Sequence, residues 1–148
     1  MNNFMHFESG ESVVNKQFII SVVVLFVWTM VVGFLVHGLL LQAEYAALPD
    51  LFRPTAEAQE FFGYMLAGHL TMAIGLTWVY RMGKEEKPWL QQGLRFGLAI
   101  ALLTSTSYYL IYYAVQPMPG ALVHKQLIFD GIAMVLTGVV AAFVNRQG

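Results

Sequence analysis

The sequence predicts an all-α integral membrane protein, built as an antiparallel four-helix bundle with both termini in the cytoplasm. Three observations favour this fold class. The chain of 148 residues is 57% hydrophobic and 11% charged, whereas soluble domains carry roughly 25% charged residues. Four apolar stretches have about the 20 residues that a helix needs to cross a bilayer. Polar and apolar residues do not alternate along them as they do in the strands of a membrane barrel.

The four predicted spans make up one transmembrane domain over residues 1–148. They cover approximately residues 18–41, 61–80, 93–115 and 121–144. The first span is too long to be the apolar core of a cleavable signal peptide. Pro49 and Pro54 end the first helical region, and Thr55 can cap the next helix. Because the connections are short, consecutive spans are expected to be antiparallel neighbours.

Lysine and arginine residues near the span ends predict the orientation. Six of them fall on one side of the bundle and two on the other. The six are Lys16, Arg81, Lys84, Lys87, Arg95 and Arg146, and the two are Arg53 and Lys125. Since cytoplasmic loops carry the excess of positive charge, both termini are expected in the cytoplasm and the loop 42–60 on the outer side.

Composition also excludes several classes of function. The net charge of -1 provides no basic surface for nucleic acid. The chain has no cysteine, which excludes disulfides, thiolate metal sites and iron–sulfur clusters. The sequence shows no nucleophile–base constellation, and we therefore predict that the protein is not an enzyme.

Small residues recur every four positions on two of the spans. They are Gly63, Ala67, Thr71 and Gly75 on the second span, and Gly93, Gly97, Ala101 and Ser105 on the third. Residues four apart share a helix face, and small side chains allow helix backbones to approach closely. The two stripes predict that the second and third spans pack directly on each other.

Polar side chains within the spans predict a pocket inside the bundle. Its expected members are Asp130, His69, Gln126, Tyr108, Thr104, Tyr112 and His37. In the predicted orientation the pocket lies in the outer half of the membrane, and Asp130 lies deepest, about 15 Å from the outer end of its span. A carboxylate in hydrocarbon must be neutralised or find a partner. His69 is the expected partner of Asp130, and Tyr108 is the second choice.

Three roles for Asp130 stay open: a hydrogen-bond clamp between helices, a proton-coupled or substrate-binding group, and a contact with a partner subunit. Ionisable residues within spans point to function by default. His37 and His124 have similar expected depths and could ligate haem, while His69 and nearby methionines could suit haem or copper. No pair of these residues has a diagnostic ligand spacing, so we expect no cofactor and no bound metal.

Three segments of the chain resemble a group of small bacterial four-helix inner-membrane proteins to which no activity is assigned. The segments are Gly33–Leu41, Tyr45–Pro54 and Lys125–Gly131. The resemblance implies a location in the bacterial inner membrane and no particular chemistry. Small multidrug exporters are similar in size, but they place a carboxylate in the first span, and the first span here contains none.

The leading functional prediction is an accessory or stabilising subunit of a larger membrane complex, or a small homo-oligomer. The chain has more glycine-rich helix faces than packing within one bundle requires, which favours contacts with helices of other subunits. The expected partners are the lipid bilayer and other membrane subunits or further copies of the chain, and not nucleic acid. Two alternatives stay open: a small proton-coupled transporter or channel that uses Asp130, and a haem-binding electron carrier.

Overall fold

The computed structural model describes residues 15–146, and most of this range is helical. Four helices in it are long and apolar enough to cross a membrane. They are α1 (Lys16–Leu40), α2 (Thr55–Met82), α3 (Trp89–Val115) and α4 (Gly120–Val144). The predicted all-α class is confirmed for the described residues, and each of these four helices overlaps one predicted span. A short helix, Gln42–Ala46, follows α1.

Prolines set the starts of three of these helices. Pro54, Pro88 and Pro119 each directly precede the first residue of α2, α3 and α4. Proline has no backbone N–H to lose and a fixed φ, so it is tolerated where a helix begins. The prediction that Thr55 caps α2 is wrong, because Thr55 is itself the first helical residue and no side-chain cap forms there.

Polar contacts join the chain segments at one end of the bundle, which we call the terminal end. The Gln17 amide at the start of α1 donates to the Val144 carbonyl at the end of α4, over 2.6 Å. The Lys84 ammonium, in the loop after α2, donates to the Asn145 carbonyl, also over 2.6 Å. The opposite end, which holds residues 41–54 and 116–119, is called the loop end.

Glycines bring α3 and α4 into backbone contact. A Cβ atom added at Gly138 would lie 2.4 Å from the backbone nitrogen and Cα of Gly97, and one added at Gly97 would lie 2.5 Å from the Val135 carbonyl oxygen. A Cβ added at Gly93 would lie 2.8 Å from the Cβ of Ala142. The stripe of α3 therefore packs on α4, which supplies its own small residues at the contact.

The small-residue stripe of α2 has a different environment from the predicted one. Gly63, Ala67 and Thr71 are exposed, and nothing lies within 4 Å of a Cβ added at Gly63 or Gly75. Helix α2 packs mainly against α1 and makes little direct contact with α3. The predicted direct packing of the second span on the third is thus wrong, because α4 offers α3 the closer-fitting glycine surface.

Two segments of π-helix interrupt the regular helices, at Phe34–Leu40 in α1 and Leu102–Thr106 in α3. Residues four apart in a regular α-helix advance by about 40° around the axis. A π-segment takes more residues per turn and so turns the following residues back toward the original face. In α3 the π-segment therefore keeps Tyr109 on the same helix face as Gly93. Isolated π-segments are frequent at functional sites.

Candidate functional site

A cavity of about 470 Å³ lies inside the bundle and is lined by residues from all four long helices. Six of the seven predicted pocket residues line it: His37, His69, Thr104, Tyr108, Tyr112 and Asp130. Both π-segments contribute to its wall, the first through His37 and the second through Thr104. Its volume falls in the range of small-molecule sites, roughly 300–1,000 Å³.

The cavity is closed toward the terminal end and partly open between α2 and α3. At the terminal end, the Tyr80 and Phe96 rings join these two helices edge to face, with ring centroids 5.2 Å apart. The apolar cluster at the loop end, within residues 15–146, contains no residue of α2. Between Phe61 and Met72 every residue except His69 is exposed. Helix α2 therefore leaves a lateral cleft, which faces lipid if the bundle spans a bilayer.

Asp130 lies at the base of the cleft and contacts two polar side chains, one of them through a hydrogen bond. The Tyr109 hydroxyl donates to Oδ2, and Nε2 of His37 lies 3.2 Å from Oδ1. Asp130 is only 8% exposed, and a buried carboxylate needs such partners. These contacts bring α1, α3 and α4 together at one acidic group.

A chain of polar contacts connects Asp130 to the loop end. The Gln126 amide donates to the Tyr45 hydroxyl over 3.2 Å, and that hydroxyl lies 2.7 Å from Nδ1 of His37. The other ring nitrogen of His37 faces Asp130. An imidazole can carry a proton on either nitrogen, so His37 connects Tyr45 to Asp130.

Tyr45 belongs to the short helix Gln42–Ala46, outside the four long helices. Burial raises the pKa of the Tyr45 phenol above its usual value of 10.0, because the phenolate would lose its hydration. The hydroxyl therefore keeps its proton at neutral pH and stays within hydrogen-bond distance of His37. This residue links the cleft to the loop-end surface.

The expected partners of Asp130 differ from those found. His69 packs against Gly33, where an added Cβ would lie 3.2 Å from its Cε1 atom, and its Nδ1 is buried without a hydrogen-bond partner. Tyr108 lies at the mouth of the cleft, 58% exposed, and stacks on Tyr112 with centroids 6.2 Å apart. Neither residue bonds Asp130, so the prediction of His69 or Tyr108 as its partner is wrong.

Gln126 is the one predicted pocket residue that does not line the cavity. It is buried at the loop end and supports Tyr45 instead. Tyr109 and Tyr45 were not among the predicted pocket residues. One signal for Tyr109 was available, since it follows Ser105 by four residues and so continues the small-residue stripe of α3.

The proposed haem ligands have other partners. Nδ1 of the exposed His124 lies 2.7 Å from the Gly120 carbonyl oxygen, and both ring nitrogens of His37 contact Tyr45 or Asp130. Among residues 15–146, no group of three or more histidine, aspartate or glutamate side chains is arranged to hold a metal ion.

The fold and the cleft together define a class of protein: four helices long and apolar enough to cross a membrane, with an acidic side chain at the base of a lateral cavity. Comparison of the chain with known protein families, with curated proteins and with solved structures finds no match.

Removing the Tyr109 hydroxyl tests the bond to Asp130. We expect Tyr109→Phe to lower the free energy of unfolding by about 1–3 kcal/mol, because it leaves the buried Asp130 without one hydrogen-bond partner. Titration with a denaturing detergent in mixed micelles measures it. The matched control is Tyr108→Phe, which removes an exposed hydroxyl and should change stability by less than about 0.5 kcal/mol. Equal effects of the two variants would contradict the assigned bond.

An ion pair at the loop end predicts a dependence of stability on pH. Lys125 donates to Glu44, and this bond holds the pKa of Glu44 below its usual value of 4.5. A depressed carboxyl pKa stabilises the folded state above the unfolded value, and this contribution disappears as the pH falls through the folded value.

Melting curves therefore should show wild-type protein to be more stable than Glu44→Gln at neutral pH. The two proteins should converge in acid, below the usual Glu44 pKa of 4.5. In a Lys125→Gln background, the same Glu44→Gln change should lose its pH-dependent effect. A stability difference that persists unchanged in acid would show that the ion pair is not its source.

Proposed function

We propose that this chain is a small proton-coupled transporter of the bacterial inner membrane, in which Asp130 binds a solute and exchanges a proton. The loop end faces the outer side, and both termini face the cytoplasm in an antiparallel bundle. The observation that carries the proposal is the carboxyl group of Asp130, buried within α4 yet lining a cavity large enough for a solute. Membrane helices tolerate such a group where it serves transport or binding.

The chain of polar contacts from Tyr45 through His37 to Asp130 supports proton exchange at Asp130. A proton can enter at the loop end and reach Asp130 through the Tyr45 hydroxyl and the two nitrogens of His37, all within hydrogen-bond distance. His37 suits this role because a neutral imidazole can accept a proton on one nitrogen and release the other. The ionisable side chains that face Asp130 from the neighbouring helices are His37, His69, Tyr108, Tyr109 and Tyr112.

The closed terminal end supports alternating access. Leu25, Leu76, Tyr80 and Ala141 form an apolar core there, and it separates the cavity from the cytoplasmic side of the proposed orientation. A lateral opening in the loop-end half and a closed terminal half correspond to one end state of a transporter. Transport then requires a second state in which the terminal end opens and the loop end closes.

Proteoliposomes test this proposal. Purified protein is reconstituted with a pH-sensitive dye inside the vesicles, and a panel of lipid-soluble solutes of positive, zero and negative charge is added from outside. We expect at least one solute to drive proton movement beyond that in protein-free vesicles, and an imposed pH gradient to drive accumulation of the same solute. If no solute in any charge class changes proton flux, the transporter proposal fails.

A second function, the accessory subunit or homo-oligomer, is favoured by one observation. The Gly63, Ala67 and Thr71 face of α2 is exposed, and small-residue faces commonly meet other membrane helices. Because the chain has no cysteine, Ala67→Cys gives a single reporter for oxidative crosslinking. A crosslinked dimer with this variant, but not with Ile132→Cys on the exposed face of α4, would favour self-association. Stable companions in a mild-detergent purification would favour the subunit.

A further inference from the structure

The ionisable residues that line the cleft limit the charge of the solute that can bind there. The residues that line the cavity include one carboxylate, Asp130, and no lysine or arginine. The other polar groups beside it are histidine rings and hydroxyls, which carry no fixed charge. Tyr109 is a neutral donor. The cleft thus holds one acidic group and no fixed positive charge, so the charge that complements Asp130 once it has released its proton must come from the solute.

The walls of the cleft suit a cation whose charge is spread over apolar groups. Tyr108, Tyr109 and Tyr112 line one side, and the thioethers of Met72 and Met134 face the same space. Aromatic faces attract cations through the ring quadrupole, more strongly where water is excluded. Thioethers are polarisable and adapt to irregular ligands. A small hydrated ion would gain little from these apolar walls.

The route into the cleft favours the same class of solute. The opening lies between α2 and α3, beside a length of α2 that is exposed from Phe61 to Met72 except at His69. In a bilayer, this opening meets lipid rather than water. A solute that partitions into the membrane can therefore reach Asp130 sideways, whereas a strongly hydrated solute cannot.

We propose that the cleft binds a lipophilic monovalent cation, such as a bulky aromatic ammonium or phosphonium ion. This inference rests on the proposed function and names its solute class. Binding places the positive charge beside Asp130 and releases the proton that Asp130 holds in the empty site. One proton leaves for each cation bound, so the charge within the membrane stays balanced. Binding should consequently tighten as the pH rises.

Two probes of nearly equal size and opposite charge test the proposal: tetraphenylphosphonium and tetraphenylborate. Binding is measured with protein in lipid nanodiscs, after subtraction of uptake by empty nanodiscs. We expect saturable binding of the cation and none of the anion. Asp130→Asn should weaken cation binding by about tenfold or more, the scale of a lost contact with a charged group. Glu57→Gln, an exposed carboxyl outside the cleft, should leave it unchanged.

The wild-type protein also provides a test that does not depend on how a variant folds. The affinity for tetraphenylphosphonium should fall as the pH is lowered, with one proton released per cation bound at intermediate pH. Equal binding of the cation by Asp130→Asn and wild type, or binding with no proton release, would overturn the inference. If a neutral or anionic solute drives proton flux in proteoliposomes while the cation fails to bind, the solute class is wrong and the transporter proposal stands. If no solute drives proton flux, both are wrong.

Discussion

Replacement of Asp130 by asparagine is expected to abolish solute-driven proton movement in proteoliposomes. Asparagine has nearly the same shape and can still accept a hydrogen bond from Tyr109, but it cannot take up or release a proton. Loss of an essential proton-transfer group costs about 100-fold or more in rate. We therefore expect flux through Asp130→Asn to equal that of protein-free vesicles within error.

The control for this variant is Glu57→Gln, which removes an exposed carboxyl at the start of α2 and should retain wild-type flux. Asp130→Glu should keep part of the activity, because it preserves the ionisable group while moving it relative to His37 and Tyr109. If Asp130→Asn folds and still couples solute to proton movement, Asp130 acts only as a clamp between helices.

The largest effect on stability is expected from Gly138→Ala. The added Cβ would lie 2.4 Å from the Gly97 backbone and 2.5 Å from the Gly93 carbonyl oxygen, so the two helix backbones must separate. Overpacking typically lowers stability by about 1–3 kcal/mol. Gly138→Ala is expected near the upper limit, because the clashing atoms belong to the backbone and cannot change rotamer as a side chain can. We expect the free energy of unfolding, measured by titration with a denaturing detergent, to fall by about 3 kcal/mol.

Gly131→Ala on the same helix is the matched control, since no atom lies within 4 Å of a Cβ added there. Alanine is a better helix former than glycine by about 1 kcal/mol, so this variant should be as stable as wild type or slightly more stable. Equal losses from the two substitutions would show that α3 and α4 do not meet at Gly138.

The sequence allowed the spans to be predicted because their signal is local. Each apolar run ends at proline, glycine or charged residues. Because lipid cannot form hydrogen bonds with the backbone, a run that crosses the membrane must be helical. The partner of the α3 stripe was harder to predict, since α2 and α4 both carry small residues at suitable spacing. The choice depends on the fit of Gly138 against Gly97, which is a property of two surfaces together.

The residues of the candidate site also differ in how far the sequence alone predicts them. Asp130 and His37 stand out in the sequence because ionisable residues are rare in spans. The four-residue spacing from Ser105 pointed to Tyr109, but in a regular helix such steps drift away from the starting face, and the π-segment Leu102–Thr106 turns Tyr109 back toward Asp130. Tyr45 was missed because it belongs to the loop end, and its contact with His37 depends on how that segment folds over the bundle.

The most direct test of this account is the reaction of Asp130 with dicyclohexylcarbodiimide, a membrane-soluble reagent that modifies protonated carboxyl groups, followed by mass spectrometry of the peptides. The central claim is that a protonatable carboxyl lies at the base of a cleft open to lipid. We expect a single major adduct within the spans, at Asp130, which increases as the pH is lowered and is absent from Asp130→Asn. An Asp130 that stays unmodified in the membrane at every pH, while a water-soluble carbodiimide still labels exposed Glu57, would contradict the account.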